Sequence, residues 1–520
     1  MTVDGISLEV FKHLFSSVAE EMGLALQRSS FSPNIRERLD FSCALFDEEG
    51  RMVAQAAHIP VHLGSMPASV EYALHHFERL DPGDIVILND PYHGGTHLPD
   101  ITMLSPVFVA GELLYFVASR AHHADVGGMS PGSLPLSVEL YQEGLIIPPV
   151  KLCSAGIYND ALLALITANS RGPRERLGDL QAQLAAQRVG EKRMLDLLAS
   201  HGREKMKAHA DALMDYSRRL TESSIEAIPN GVYSFADSLE GDGQNEFVIP
   251  IVVTLRVAER NMSVDFRGSA AQVRGNVNAV EPIVRSATWY AIRLLAQEEV
   301  PVNHGCFQPV QVVTEAGSVL NPAFPAAVVV GNTETGQRIV DVVLGALAQA
   351  LPDLIPAASL GTMNNFTVGG EQTSGEAYVY YETIGGGHGA GPFGPGISGR
   401  HCHMTNTLNT PIEALEYSYP LRVLRYGLRR GSGGRGKFSG GEGVIREYEF
   451  LSPATATINS ERRLKGPYGL VGGRAGGVGR NYVIQGEIKR KVSGKYTTRL
   501  EKGDGILIET PGGGGWGELD

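Results

Sequence analysis

A mixed α+β fold of more than one unit is predicted for this chain, on three observations. Its 520 residues exceed what one hydrophobic core usually serves, about 100 to 200 residues per unit. Some stretches repeat apolar residues at helical spacing, while others are short β-branched or aromatic runs bounded by turn residues,. Composition also shifts along the chain, from a first part rich in histidine and aspartate, through a nearly continuous helical pattern, to a glycine-rich end. The division this implies is an α/β unit over 1–158, a helical segment over 159–229, an α+β unit over 230–360 and a glycine-rich, β-rich part over 361–520.

Ile6, Val10, Phe11, Leu14, Val18, Met22 and Leu26 share one face at helical spacing, so 6–28 is predicted as an amphipathic helix,. A loop ending near Asp40 precedes a strand over Phe41–Phe46. The next helix opens at Ser65, which can cap it, with Pro67 in the first turn and Val70, Leu74 and Phe77 on one face,. Asp84–Leu88 and Leu113–Ala118 read as buried strands, each running into a histidine-bearing loop. From Asp160 to Ile228 the pattern is helical, broken at Arg171-Gly172-Pro173, where proline removes a donor and disfavours helix before it; two or three packed helices follow. Phe247–Val257 and Met262–Phe266 read as a hairpin across Glu259-Arg260-Asn261, and helices return near 281–297 and 337–350. Sixty-three glycines, about 12% against a usual 7%, require positive-φ turns or close backbone approaches.

The formal charge of −12 disfavours nucleic acid or an anionic membrane surface as main partner, the exception being a basic stretch near 422–437,. Four scattered cysteines, Cys43, Cys153, Cys306 and Cys402, carry no paired spacing, which argues against a disulfide framework,. Met1 to Leu14 includes Asp4, Glu9 and Lys12, and no apolar run approaches membrane-spanning length. Neither signal peptide nor membrane span is expected, and the cytoplasm is the simplest location.

Between Leu88 and Gly128 four histidines and three aspartates fall into two glycine-rich runs, 89–100 and 119–128. Imidazole and carboxylate together suit zinc, manganese or iron, and the absence of cysteine argues against a thiolate-walled structural zinc. That composition makes 1–158 a metal-binding unit. His97 and Asp100 can converge on one ion, with Pro99 excluding a regular helix between them. His122 or His123 would add a ligand, only one of them because adjacent residues point apart, and Asp40 can add a carboxylate. Asp125, His123 or Asp90 can set the ligand tautomers. The competing reading is that each histidine merely bonds loop backbone. His58, His62 and His93, with His388 from the glycine-rich part, are read as facing substrate.

Two phosphate-loop lookalikes fail on chemistry. Gly431-Ser432-Gly433-Gly434-Arg435-Gly436-Lys437 has Walker spacing, yet Phe438 stands where a hydroxyl should hold magnesium,. Gly389-Ala390-Gly391-Pro392-Phe393-Gly394 carries Pro392 and is followed by Pro395, which oppose the helix a dinucleotide needs,. No nucleotide site is expected in this chain, and no serine or cysteine presents itself as a covalent nucleophile.

Several of these runs are also long enough to be specific. Ile35-Arg36-Glu37-Arg38-Leu39-Asp40-Phe41-Ser42, His58 to Gly64, Asn89 to Asp100, Ala121 to Gly128, Asp265-Phe266-Arg267-Gly268-Ser269, Gly331-Asn332-Thr333-Glu334-Thr335, Gly385 to Gly389 and Thr510 to Gly515 resemble the hydantoinase B / 5-oxoprolinase family. The resemblance implies an ATP-dependent enzyme of two unlike polypeptides, in which an A-type ATPase subunit holds ATP and Mg while the B-type chain holds a metal centre. It implies metal ligands at His97, Asp100 and His122, with Asp40 a fourth, and it leaves His123 and Asp125 to orient ligands or carry protons catalytically. The expected substrate is a small cyclic amide such as a hydantoin, 5-oxoproline or a lactam, opened by a heterotetramer or larger assembly. Within the family the alternative is a component of an acetone or acetophenone carboxylase, which would use bicarbonate. Outside it stand a non-catalytic metal-ordered scaffold and a lone metal-dependent amidohydrolase.

Overall fold

A computed structural model describes residues 3–56, 59–296, 298–372 and 374–519. Helix α1 (Gly5–Ser29) is capped by Asp4, whose carboxylate accepts from the Ser7 amide at 2.9 Å, and it buries Phe11, Phe15, Val18, Met22 and Leu26. The one-turn α2 (Pro33–Arg36) precedes strands β1 (Phe41–Asp47) and β2 (Met52–Ala56). After α3 (Ser65–His76) come β3 (Ile85–Leu88), β4 (Asp100–Val109), β5 (Glu112–His122), β6 (Val150–Ser154) and β7 (Ile157–Tyr158). These strands make one antiparallel sheet in the order β2-β1-β5-β4-β3-β6-β7.

Alternation along β1 and β5 sends Phe41, Cys43, Leu45, Val117 and Ala121 to one face and Ala44, Phe46, Phe116 and Ala118 to the other,. The helical stretch divides into α4 (Asp160–Ala168), α5 (Pro173–His201) and α6 (Arg203–Glu226). With α1, helices α5 and α6 cover the first face; α3 covers the second, and α7 (Glu281–Arg293) packs on α3 with Trp289 against the same core.

Two local expectations are corrected. Gly64, not Ser65, occupies the cap of α3, because the Ser65 hydroxyl is engaged by the Val61 carbonyl and by buried Arg120. The two histidine runs also do not lie wholly on loops. Asp100 opens β4 and His122 closes β5, since their mutual pairing and the bond from the His122 amide to Asp40 O carry the ladder into both runs.

Strands β8 (Gly231–Glu240), β9 (Val248–Ala258) and β10 (Asn261–Asp265) form an antiparallel meander, the last two being the predicted hairpin. Strand β11 (Val310–Val313) joins it parallel to β10, and α8 (Gly336–Ala350) packs on β8 and β9. The remaining strands are β12 (Asn365–Glu371), β13 (Ala377–Glu382), β14 (Leu421–Arg429), β15 (Gly443–Phe450), β16 (Ala454–Asn459), β17 (Arg480–Gln485), β18 (Ile488–Val492), β19 (Lys495–Leu500) and β20 (Gly505–Glu509), with α9 (Ile412–Ser418) leading into β14. They form sheets ordered β13-β12-β16-β19 and β14-β15-β20-β17-β18, joined by a core that includes Phe366, Tyr380, Tyr448, Phe450 and Ile508. Among the described residues no helix is long and apolar enough to cross a membrane.

Beside these sheets extended glycine segments pack backbone against backbone. Gly513 donates to Gly441 O (3.0 Å), Gly441 to His388 O (2.8 Å), Gly434 to Gly513 O (2.8 Å) and Gly514 to Ala358 O (2.8 Å). Close approach, rather than turn geometry, is what selects glycine here. A Cβ on Gly513 would stand 1.9 Å from His388 O. The Walker-like run belongs to the same layer, Gly434 lying against Arg474 O and Gly436 against Trp516 O. Gly513→Ala is expected to destabilise the fold by more than about 2 kcal/mol, read by thermal and urea unfolding; an unchanged melting curve would contradict this account of the layer.

Candidate metal centre

Strand register assembles the site. Asp100 at the start of β4 pairs directly with His122 at the end of β5, and the His122 amide donates to Asp40 O (3.0 Å) just before β1. Residues opposed in this way present side chains on one face of a sheet, here the α3 face. His97 comes from the turn before β4, where its carbonyl accepts from the Asp100 amide at 3.1 Å.

His97 Nε2, His122 Nδ1 and Asp100 Oδ1 lie 3.0 to 3.1 Å from one another, and all three residues are buried. His97 Nδ1 faces the Val329 carbonyl at 2.9 Å. A carbonyl only accepts, so Nδ1 carries the ring proton and the neutral ring presents a lone pair at Nε2. That lone pair is aimed at a carboxylate oxygen, and two acceptors at this distance repel unless a cation or a second ring proton intervenes. A divalent ion about 2 Å from each donor resolves the conflict, and an imidazole N–H held by a backbone carbonyl is the usual support of a metal ligand. The residues therefore fit such an ion. Asn332 shares the space, with Nδ2 3.1 Å from His97 Nε2 and Oδ1 without a partner among the described residues.

The enclosed space is small, about 20 Å³, which is room for one ion or one water. Asp40, His62, Tyr381, Thr383, Met404 and Thr405 also line it. Thr96 donates to Asp100 Oδ2 at 2.7 Å. His122 is held twice, by Asn34 Nδ2 donating to its carbonyl (2.6 Å) and by the Tyr381 ring stacked on it at 4.6 Å. Burial works to raise the Asp100 pKa, yet His97, His122 and His62 outweigh it and hold the carboxyl well below the usual range. Burial likewise opposes protonation of His97, but the Asp100 charge and hydrogen bond carry its pKa upward. For His122 burial prevails and the shift is downward.

Of the residues named from sequence, His97, Asp100 and His122 come together. Asp40 lines the same cavity. His62 joins them, with Nε2 3.5 Å from Asp100 Oδ2 and Nδ1 2.9 Å from Ser42 Oγ. His123 and Asp125 do not. Alternation turns His123 to the α5 side, where Arg176 Nη1 donates to its Nδ1 (2.5 Å) and its Nε2 faces Gln183 Oε1 (2.8 Å); burial, then the Arg176 charge, holds its pKa well below normal. Asp125 accepts from the amides of Gly127, Gly132 and Arg171 and from the Arg171 guanidinium, so it organises its own loop. His93 pairs with Asp90 and packs on Tyr72, and His388 bonds His401 O beside the glycine layer; neither lines the cavity. His58 lies outside the described residues. Sequence reasoning gave no role to Asn34, Asn332 and Tyr381, although Asn332 stands inside one of the motifs on which the resemblance rests.

The hydantoinase B/oxoprolinase family model matches residues 4–519. The chain belongs to the hydantoinase B/oxoprolinase family. Uncharacterized protein MJ0963 of Methanocaldococcus jannaschii is 43% identical, over 99% of this chain and 91% of that protein. 5-Oxoprolinase 1 of Arabidopsis thaliana is 41% identical over 99% of this chain. This hydantoinase B/oxoprolinase chain spans only 42% of that oxoprolinase. Among solved structures, ATP-dependent caprolactamase from Pseudomonas jessenii superimposes with a TM-score of 0.93 at 28% identity, covering 100% of this chain and 92% of that one.

His97→Ala and His122→Ala are each expected to lose bound zinc or manganese after dialysis, and Asn34→Ala to bind it about 10- to 100-fold more weakly. Asp125→Asn should keep the metal while melting at lower temperature. Elemental analysis beside thermal unfolding separates the two classes; metal retained in both histidine variants would contradict the assignment.

Proposed function

We propose that this chain is the B subunit of an ATP-dependent cyclic amide hydrolase, and that ring opening is completed at His97, Asp100 and His122. The observation that carries the reading is the convergence of a fixed imidazole lone pair, a second imidazole nitrogen and a carboxylate oxygen within 3.1 Å. The family and the likeness to a caprolactamase support the substrate class, a hydantoin, 5-oxoproline or lactam.

A ring amide resists water at neutral pH, so activation by phosphorylation is assigned to an A-type subunit that holds ATP and Mg. The stretch of oxoprolinase sequence outside the match supports a second functional part of this kind. In this chain a divalent ion would be held by His97, Asp100 and His122, with Asp40 nearby, and when bound it supplies Lewis acidity toward a carbonyl oxygen and water. Val329 O fixes the His97 tautomer, and Asn34 and Tyr381 hold His122 in place. His62 takes the proton role first assigned to His123 and Asp125, because its Nε2 is buried, makes no hydrogen bond among the described residues and stands 3.5 Å from Asp100 Oδ2,. The cavity holds an ion and not a ring as well. Substrate therefore enters by parting 59–63 from 402–405, segments linked where the Val61 amide donates to Met404 O (3.2 Å).

Ring opening of hydantoin, 5-oxoproline and caprolactam is to be assayed with each subunit, ATP or metal omitted in turn. The expected outcome is turnover only with all four present, and at least about 100-fold loss in His97→Ala with the complex still assembled. His62→Ala should retain metal while losing turnover. Turnover by the A-type subunit alone, full activity after metal removal, or labelled bicarbonate in the product would each overturn the reading.

A further inference from the structure

Strand β14 is the outer strand of its sheet and, among the described residues, pairs only with β15, with a register shift between Val423 and Arg425. The Val423 amide donates to Glu416 Oε1 (2.9 Å), but beyond it no backbone amide of 424–429 is taken by another element among the described residues. An edge left open in this way is a template for another strand. It also carries Leu424, Tyr426 and Leu428, exposed by 56%, 45% and 38%, more apolar surface than an edge facing water normally shows.

Its charge is one-sided. Residues 421–430 include Arg422, Arg425, Arg429 and Arg430 and no acid, on a chain whose formal charge is −12. Arg422 pairs with Glu449 and Arg429 turns inward to Glu509, whereas Arg425, opposite Glu447 in the ladder, and Arg430 are exposed and make no ion pair among the described residues. A second copy pairing antiparallel about Gly427, the middle of the exposed run, would bring Arg425 against Arg429, and like charges opposed across strands are destabilising.

We propose that the free edge of β14 docks an extended, acidic segment of the A-type subunit, added as a sixth strand beside Arg425 and Arg430. The inference rests on the proposed function, which requires that partner. Its test is hydrogen exchange on the full chain with and without the A-type subunit of the same organism, together with the association constants of Arg425→Glu and Arg430→Glu. Exchange at 424–429 should slow about tenfold or more in the complex. Each variant should melt like the parent and associate about tenfold or more weakly, the loss shrinking at high salt. Unchanged exchange together with parental binding by both variants overturns the docking site, as does protection that appears on concentrating this chain alone. If the complex opens rings while β14 stays unprotected, the docking inference fails by itself; if no complex opens a ring, the functional reading fails whatever β14 does.

Discussion

The structure around the site turns on one carboxylate that must serve two imidazoles at once. Asp100 is buried against His97 and His122, and the Val329 carbonyl removes the neutral tautomer in which His97 could donate to it. A buried charge is tolerated only when its neighbours answer it. Thr96, Asn332 and His62 complete the answer at Oδ2. Strand pairing makes the cluster unavoidable, since a register shift of one residue would turn His122 to the α5 side and His123 into its place.

The C-terminal half is therefore part of the centre rather than an appendage. It contributes Val329, Asn332, Tyr381 and the cover at Met404 and Thr405. Buried arginine forks pin it in place. Arg38 reaches across to Tyr381 O, Thr383 Oγ1 and Thr407 Oγ1, with its guanidinium 4.8 Å above the Tyr381 ring that stacks on His122. Farther out, Asp237 takes both Arg338 (2.8 Å) and Arg462 (2.7 Å), and Arg462 also binds Asp341 (2.6 Å). Removing one member would leave a buried charge unanswered, so such clusters specify one relative placement of α8 and the last strands.

Much of this was legible in the residues. The helical periodicity of 6–28, the break at Pro173 and the 247–266 hairpin correspond to α1, the gap before α5, and β9 with β10. His97, Asp100 and His122 stood out by composition, and the resemblance chose His122 over His123; strand alternation explains that choice. What could not be read depends on long-range register. Nothing local shows that Asp40 abuts His122, that Val329 will meet His97, or that Tyr381 will lie on His122. Asp125 misled because a carboxylate in a histidine run looks like chemistry, whereas its amide partners come from the following loop, at Gly127 and Gly132, and from Arg171 far along the chain, brought together only on folding. Glycine counts announced close packing without saying which segments touch.

An anomalous-scattering map of crystals grown with manganese or zinc reaches the central claim most directly. The account predicts one strong peak within about 2.0 to 2.3 Å of His97 Nε2, His122 Nδ1 and Asp100 Oδ1. No peak there, with the two rings and the carboxylate bonded only to one another, would contradict it.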